Sequence, residues 1–196
     1  IRNITLFGEM ANSGNSAIAQ THGLIASLSA TTDISLVYRN FPKNYHTTYS
    51  NAFGESSTNK NERGIYTGIS LRPFPKWTVN AYADVYKSEW LKYLTDAPAY
   101  GYDYLAEVVH NPSKSVQMYW RYRNDNKERN AYSNNTISDY LTWHRRYTFR
   151  YHIAYKVSSS VTLKNRIEYT GISNRKYQNR TRYGIFSGHT LQANDG

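Results

Sequence analysis

From Tyr147 to Val157 every second residue is aromatic or branched. Tyr147, Phe149, Tyr151, Ile153, Tyr155 and Val157 form one set, and Arg146, Thr148, Arg150, His152, Ala154 and Lys156 alternate with them. Successive side chains of an extended strand point to opposite faces, so this alternation specifies a strand with one apolar, aromatic face and one polar face. The question it leaves is which face meets water.

The alternation recurs along the whole chain. It predicts strands over 4–11, 17–28, 31–39, 63–72, 77–87, 102–110, 115–123, 145–157 and 161–169, with another inside 175–194. Tight connections fall near 29–32, 73–76, 111–114 and 158–160, and long ones near 40–62, 88–101 and 124–143, with a shorter one at 171–178. Only 12–16 is short where the rhythm expects a long loop. In an antiparallel meander every second connection lies at the same end. The expectation is therefore an all-β antiparallel meander of about ten strands spanning 1–196, compact at one end and ragged at the other. Outer-membrane barrels have short periplasmic turns and long external loops. A soluble sandwich with its binding loops gathered at one end has the same asymmetry.

Composition bears on that choice. Hydrophobic residues make up 39% of the 196 residues and the mean hydropathy is −0.74, yet there are 20 tyrosines and 4 tryptophans. Disordered chains lack such aromatic content, and regular alternation argues against prion-like low complexity. A barrel wall keeps its average hydropathy low because half of it faces water. No apolar run approaches the length of a helical membrane span. Cysteine is absent, so neither a disulfide framework nor a thiolate metal site is available. The formal charge of +10, from 24 basic and 14 acidic residues, favours anions: nucleic acid, lipid phosphate or an acidic solute.

Tyrosine belongs where one end of its ring is apolar and the other finds water, as at a membrane interface. In a sandwich core its hydroxyl would need a buried partner. Trp77, Trp120, Tyr122, Tyr147, Tyr151 and Tyr155, with Trp90 and Trp143 toward the long-loop end, are the expected membrane-interface aromatics. Arg72, Arg121, Arg123, Arg146, Arg150, Lys156, Lys164 and Arg166 are the expected lumen-facing basic wall. Two departures stand out. Asn165 falls on the apolar side of its strand, and 4–11 and 17–28 alternate poorly, with Gln20 and His22 among the apolar set. Those two segments are expected to meet a partner or a plug instead of lipid.

The stretches "GEMANSGNSAIAQTHGLIASLS", "LVYRNFPKNYHTTYSNAFGESS", "NERGIYTGISLRP", "KWTVNAYADVYKSEWLKY", "DAPAYGYDYLAEV" and "RYRNDNKERN", between residues 8 and 130, carry a resemblance. The chain resembles the C-terminal β-barrel region of outer-membrane proteins of the Bacteroidota that are named for a helix-hairpin-helix domain and grouped with competence-type proteins. Residues 38–55 and 61–64 are its most specific parts, and it extends more loosely after 131. The resemblance implies a cell outer-membrane location and a barrel of which this chain is an incomplete portion. It supplies no molecular activity, because the DNA-related name rests on the hairpin domain.

Catalysis and metal binding find little support. A hydrolase needs a nucleophile beside an oriented histidine, but His22 and Ser27 point to opposite faces, and His152 has no Ser or acid two positions away. Asp103 and Glu107 share a face that His110 does not. No loop has hand-like calcium spacing, and neither "GEMANSG" nor "GYDYLAEV" is a phosphate loop. No enzymatic activity, cofactor or metal is expected. The basic wall would favour anions or single-stranded nucleic acid held through phosphate, with Tyr82, Tyr86 and Tyr119 as a stacking platform. Alternatively it pairs with Asp84, Glu107 and Glu168 and, at the rim, with lipopolysaccharide phosphates. The expected role is a conduit or a scaffold within an envelope complex, in contact with outer-membrane lipid, lipopolysaccharide and other envelope subunits. The alternatives are a DNA- or anion-handling channel with a basic lumen, and a soluble all-β module binding nucleic acid or glycan.

Overall fold

A computed structural model describes residues 3–48, 51–56, 58–131, 140–158, 160–174 and 181–193, the last of these, with residue 174, as backbone. The strands are β1 (Asn3–Asn12), β2 (Ile18–Ser29), β3 (Thr32–Phe41), β4 (Glu62–Leu71), β5 (Trp77–Ser88), β6 (Ala99–Ser113), β7 (Val116–Ala131), β8 (Tyr140–Lys156), β9 (Val161–Asn174) and β10 (Thr181–Ala193). They form one sheet in which each strand pairs with its sequence neighbours. Every pairing is antiparallel. The fold is an all-β meander, and among the described residues there is no helix and no pairing between β1 and β10.

The register extends the alternation of each strand across the whole sheet. Residues directly opposite share a face, and Arg39↔Gly64, Tyr66↔Asp84, Asp84↔Asp103, Asp103↔Asp125 and Asp125↔Arg146 trace one face from β3 to β8. That face is polar. The other carries Leu36, Ile65, Ile69, Val79, Val85, Val108, Trp120, Phe149 and Ile167.

Burial is inverted relative to a soluble domain. Leu6 is 74% exposed, Met10 63% and Val85 57%, whereas Arg39, Glu62, Asp84, Asp103 and Asp125 are buried. The apolar residues gathered into a core are few: Ala17, Ala19, Phe41 and Tyr45, where the loop after β3 packs on β2.

Several strands run further than alternation predicts. Residues 124–131, read from sequence as the start of a loop, continue β7, and β8 begins at Tyr140. "NDNKERNA" is polar on both faces and gives no periodic signal. Its strand is set by pairing, Asn124 to Ala131 opposite Tyr147 to Tyr140. Likewise β6 runs through the predicted 111–114 turn to Ser113, with a register shift after His110. The part of the predicted 124–143 loop between the two strands lies outside the described residues.

Candidate functional site: the polar face and its capping loops

The most buried charge is Arg39, which has no exposed surface. Its Nε donates to Glu62 Oε1 at 2.6 Å, and Nη1 and Nη2 donate to the two Asp84 oxygens at 2.8 and 3.0 Å. A planar guanidinium suits this two-pronged grip. Gly64, directly opposite Arg39, makes room for it, because a Cβ there would lie 2.7 Å from the guanidinium carbon. The Phe53 and Tyr86 rings flank the group, with centroids 5.4 and 5.8 Å away. Tyr86 in turn lies over Gly101, whose missing side chain leaves space for the ring.

This cluster ties down the loop between β3 and β4. Glu62 accepts the backbone N–H groups of Glu55 and Ser56, each at 3.0 Å. Phe53 meets Tyr66 edge-on, so the loop lies against the polar face. Asn61 joins this loop to the one between β5 and β6. Its Nδ2 donates to Trp90 O at 2.7 Å, and its Oδ1 accepts from Trp90 N at 2.8 Å. Lys43 sits 4.0 Å above the Trp90 ring. The second loop is fixed to the β7 extension where Asn130 N donates to Leu94 O and Asn130 Nδ2 to Asp96 Oδ2. These linked loops cap the long-loop end of the sheet.

Below the cap, Asp84, Asp103 and Asp125 stand in one row across β5, β6 and β7. Three carboxylates side by side repel one another unless cations intervene. Arg39 takes Asp84, Arg123 takes Asp103 together with Tyr82, and Arg146 and Lys127 take Asp125. Toward the tight-turn end, Arg121 pairs with Glu107, Arg150 with Glu168, and Arg72 with Asp33.

The eight residues of the predicted basic wall thus fall on the polar face, with Arg72 just beyond the end of β4. The wall is not uniformly basic: Arg72, Arg121, Arg123, Arg146 and Arg150 are each held by a carboxylate, while Lys164 and Arg166 are engaged by neighbours and Lys156 is exposed at the end of β8. The Glu107 and Glu168 pairings match the sequence-based alternative. Arg39, Asp33 and Asp103 carry no local signal of their roles, because their partners come from other segments, and only Asp125 has one partner, Lys127, on its own strand. An Arg at the end of a strand, with an unexplained Gly on the next, was the available clue.

The predicted interface aromatics take the apolar face in two rows, with one exception. Trp77 stacks on His110 at 3.9 Å and lies 6.4 Å from Trp120, which meets Tyr151 at 5.5 Å. Nearer the loops, Tyr102 meets Trp143 at 5.3 Å, Tyr104 meets Tyr122 at 6.4 Å, and Tyr147 meets Tyr169 at 6.3 Å. Tyr155 is exposed on the same face near the tight-turn end. Trp90 departs from this pattern and belongs to the capping loop.

His152 stacks on Tyr119 at 4.9 Å on the polar face, whereas His22 lies on the apolar face against Gly8. Among the described residues no group of three His, Asp or Glu side chains is placed to hold a metal ion. Gln20 and His22, the irregular residues of β2, touch each other at 3.3 Å on the apolar face. Asn165, opposite Ile153, shares that face. No protein family, curated protein or solved structure matches the chain.

Proposed function

We propose that this chain forms wall of a transmembrane β-barrel in a cell outer membrane and serves as a non-enzymatic conduit. The observation that carries the reading is the inverted burial: apolar residues exposed across one face of the sheet, charges buried on the other. Such a face in water would be a large association hazard, and in a bilayer it is the lipid contact. On β8 the aromatic and aliphatic set from Tyr147 to Tyr155 spans about 26 Å along the strand at ~3.3 Å per residue, or about 20 Å along the membrane normal at the ~40° tilt of such strands, which fits within their roughly 25 Å apolar band. Asn124, Asn126 and Glu128 on the same face of β7 mark where the band ends toward the loops.

In this reading the edges of β1 and β10 pair with each other or with further strands, since an open edge is not tolerated in lipid. The polar face lines the interior and the linked loops form its outer cap. Charge pairing there favours local recognition over the bulk anion selectivity of an unbroken basic wall. The choice of the outer membrane follows from the resemblance of residues 8–130 to Bacteroidota outer-membrane barrels. A scaffold within an envelope complex is the second reading, favoured by the interlocked loops across the mouth.

The test is extraction and electrophoresis of the full-length protein. Detergent-dependent solubility with heat-modifiable migration is expected, and a monodisperse protein without detergent would overturn the reading. In planar bilayers a conduit gives steady conductance, whereas a scaffold inserts without conducting.

A further inference from the structure

Arg121 on β7 and Arg150 on β8 are directly opposite residues on the polar face. Like charges in that position repel, and here they are drawn apart. Arg121 turns to Glu107 on β6, and Arg150 donates Nε to Glu168 on β9 at 2.7 Å. Arg123 is likewise drawn to Asp103 on β6, while Arg146 donates Nη2 to Asp125 at 3.2 Å. The space between is a cleft of about 340 Å³ walled by these four arginines, with the acids Asp125 and Glu168 and the hydroxyls of Thr148 and Thr170 also in its lining.

The acids engage Nε and Nη2 of Arg121 and Arg123, Nη2 of Arg146 and Nε of Arg150. Each guanidinium has five N–H donors, so each has more donors than its acid takes up. Their side chains remain between 26% and 54% exposed. Lys127, Lys156, Lys164 and Arg166 share this face of β7–β9, which carries no carboxylate beyond Asp125 and Glu168. The local field is therefore positive although the nearest arginines are paired.

We propose that this cleft is a recognition site for a phosphate-bearing solute. A planar carboxylate is satisfied by one guanidinium fork. A phosphate presents several oxygens and uses donors arriving from both strands, the geometry for which arginine is suited. Bound between Arg121 and Arg150, it would also relieve their repulsion. The inference rests on the conduit reading, because it requires the polar face to be wet.

The test uses the full-length protein folded in detergent, with folding checked first by heat-modifiable migration, so that failure of the barrel reading is seen separately. Inorganic pyrophosphate binding is measured by titration calorimetry at low salt, with acetate and chloride as comparators. Saturable pyrophosphate binding is expected, weakened at least about tenfold by Arg121→Gln with Arg150→Gln, and lost in Thr148→Trp, which fills the cleft without removing an ion pair. A folded wild type that does not bind pyrophosphate, binds acetate equally well, or binds undiminished in Thr148→Trp would overturn the proposal.

Discussion

Arg39 on β3 reaches across β4 to grip both oxygens of Asp84 on β5, two strands away, at 2.8 and 3.0 Å. The pair is buried, and Gly64 on the strand between leaves the space it occupies. Removing one partner of such a pair leaves a charge without water or counterion, at a cost of about 3–5 kcal/mol. Arg39→Gln, which strands Asp84 and Glu62 together, is expected to lower folding stability by that amount in urea titrations of the detergent-folded protein. Gly64→Val should act in the same direction by displacing the guanidinium. An unchanged midpoint for both would show that the pair is dispensable.

The capping loops hang on Asn61, whose φ of 56° is left-handed and whose side chain bonds Trp90 and Leu91. Asn61→Gly keeps the backbone conformation and loses the bonds, while Asn61→Ala loses the bonds and adds roughly 1 kcal/mol of strain. Trypsin cleavage after Lys43 and Lys92 should accelerate in both variants, more in Asn61→Ala, with strand content by circular dichroism unchanged. Equal cleavage rates in wild type and Asn61→Ala would mean that the loops are held elsewhere.

Leu36 is 46% exposed at the centre of β3 on the apolar face. In water, replacing an exposed leucine by arginine costs little. In the bilayer midplane it costs about 2–4 kcal/mol. Leu36→Arg is therefore expected to destabilise the protein folded in lipid vesicles by that amount, and Gln117→Arg, exposed on the polar face opposite Ala154, to cost about 0.5 kcal/mol or less. Equal small effects would count against a lipid-facing surface.

The four tryptophans give a depth map. Trp77 and Trp120 lie in one aromatic row and Trp143 in the other, while Trp90 is in a capping loop under Lys43. Single-tryptophan variants, with the other three changed to Phe, should be quenched by lipids brominated near the headgroup for Trp77, Trp120 and Trp143. Trp90 should instead respond to aqueous iodide. Strong lipid quenching of Trp90 would place the loop in the membrane.

Much of this architecture is legible before any tertiary structure. Strand direction alternates side chains with a period of two, so Tyr147 to Val157 fixed a strand and sorted Arg146, Arg150 and Lys156 from the aromatics without reference to any other segment. The same rule ordered β3, β4, β5 and β9 to within a residue or two at their starts, because one face of each is mainly apolar, interrupted on β9 by Asn165. It failed where both faces are polar: 124–131 is strand only because β8 pairs with it.

The tertiary structure decided what the polar face is. Register brings together residues far apart in sequence, such as Arg39 with Asp84, or sets Arg121 opposite Arg150. No local pattern encodes that offset, because each strand's alternation is satisfied by many registers differing by two residues. The sequence by itself determined that one face is polar and the other apolar and aromatic. Only the pairing of strands decided that most of the named arginines meet carboxylates, that three aspartates share a row, and that the long loops lock across the end of the sheet.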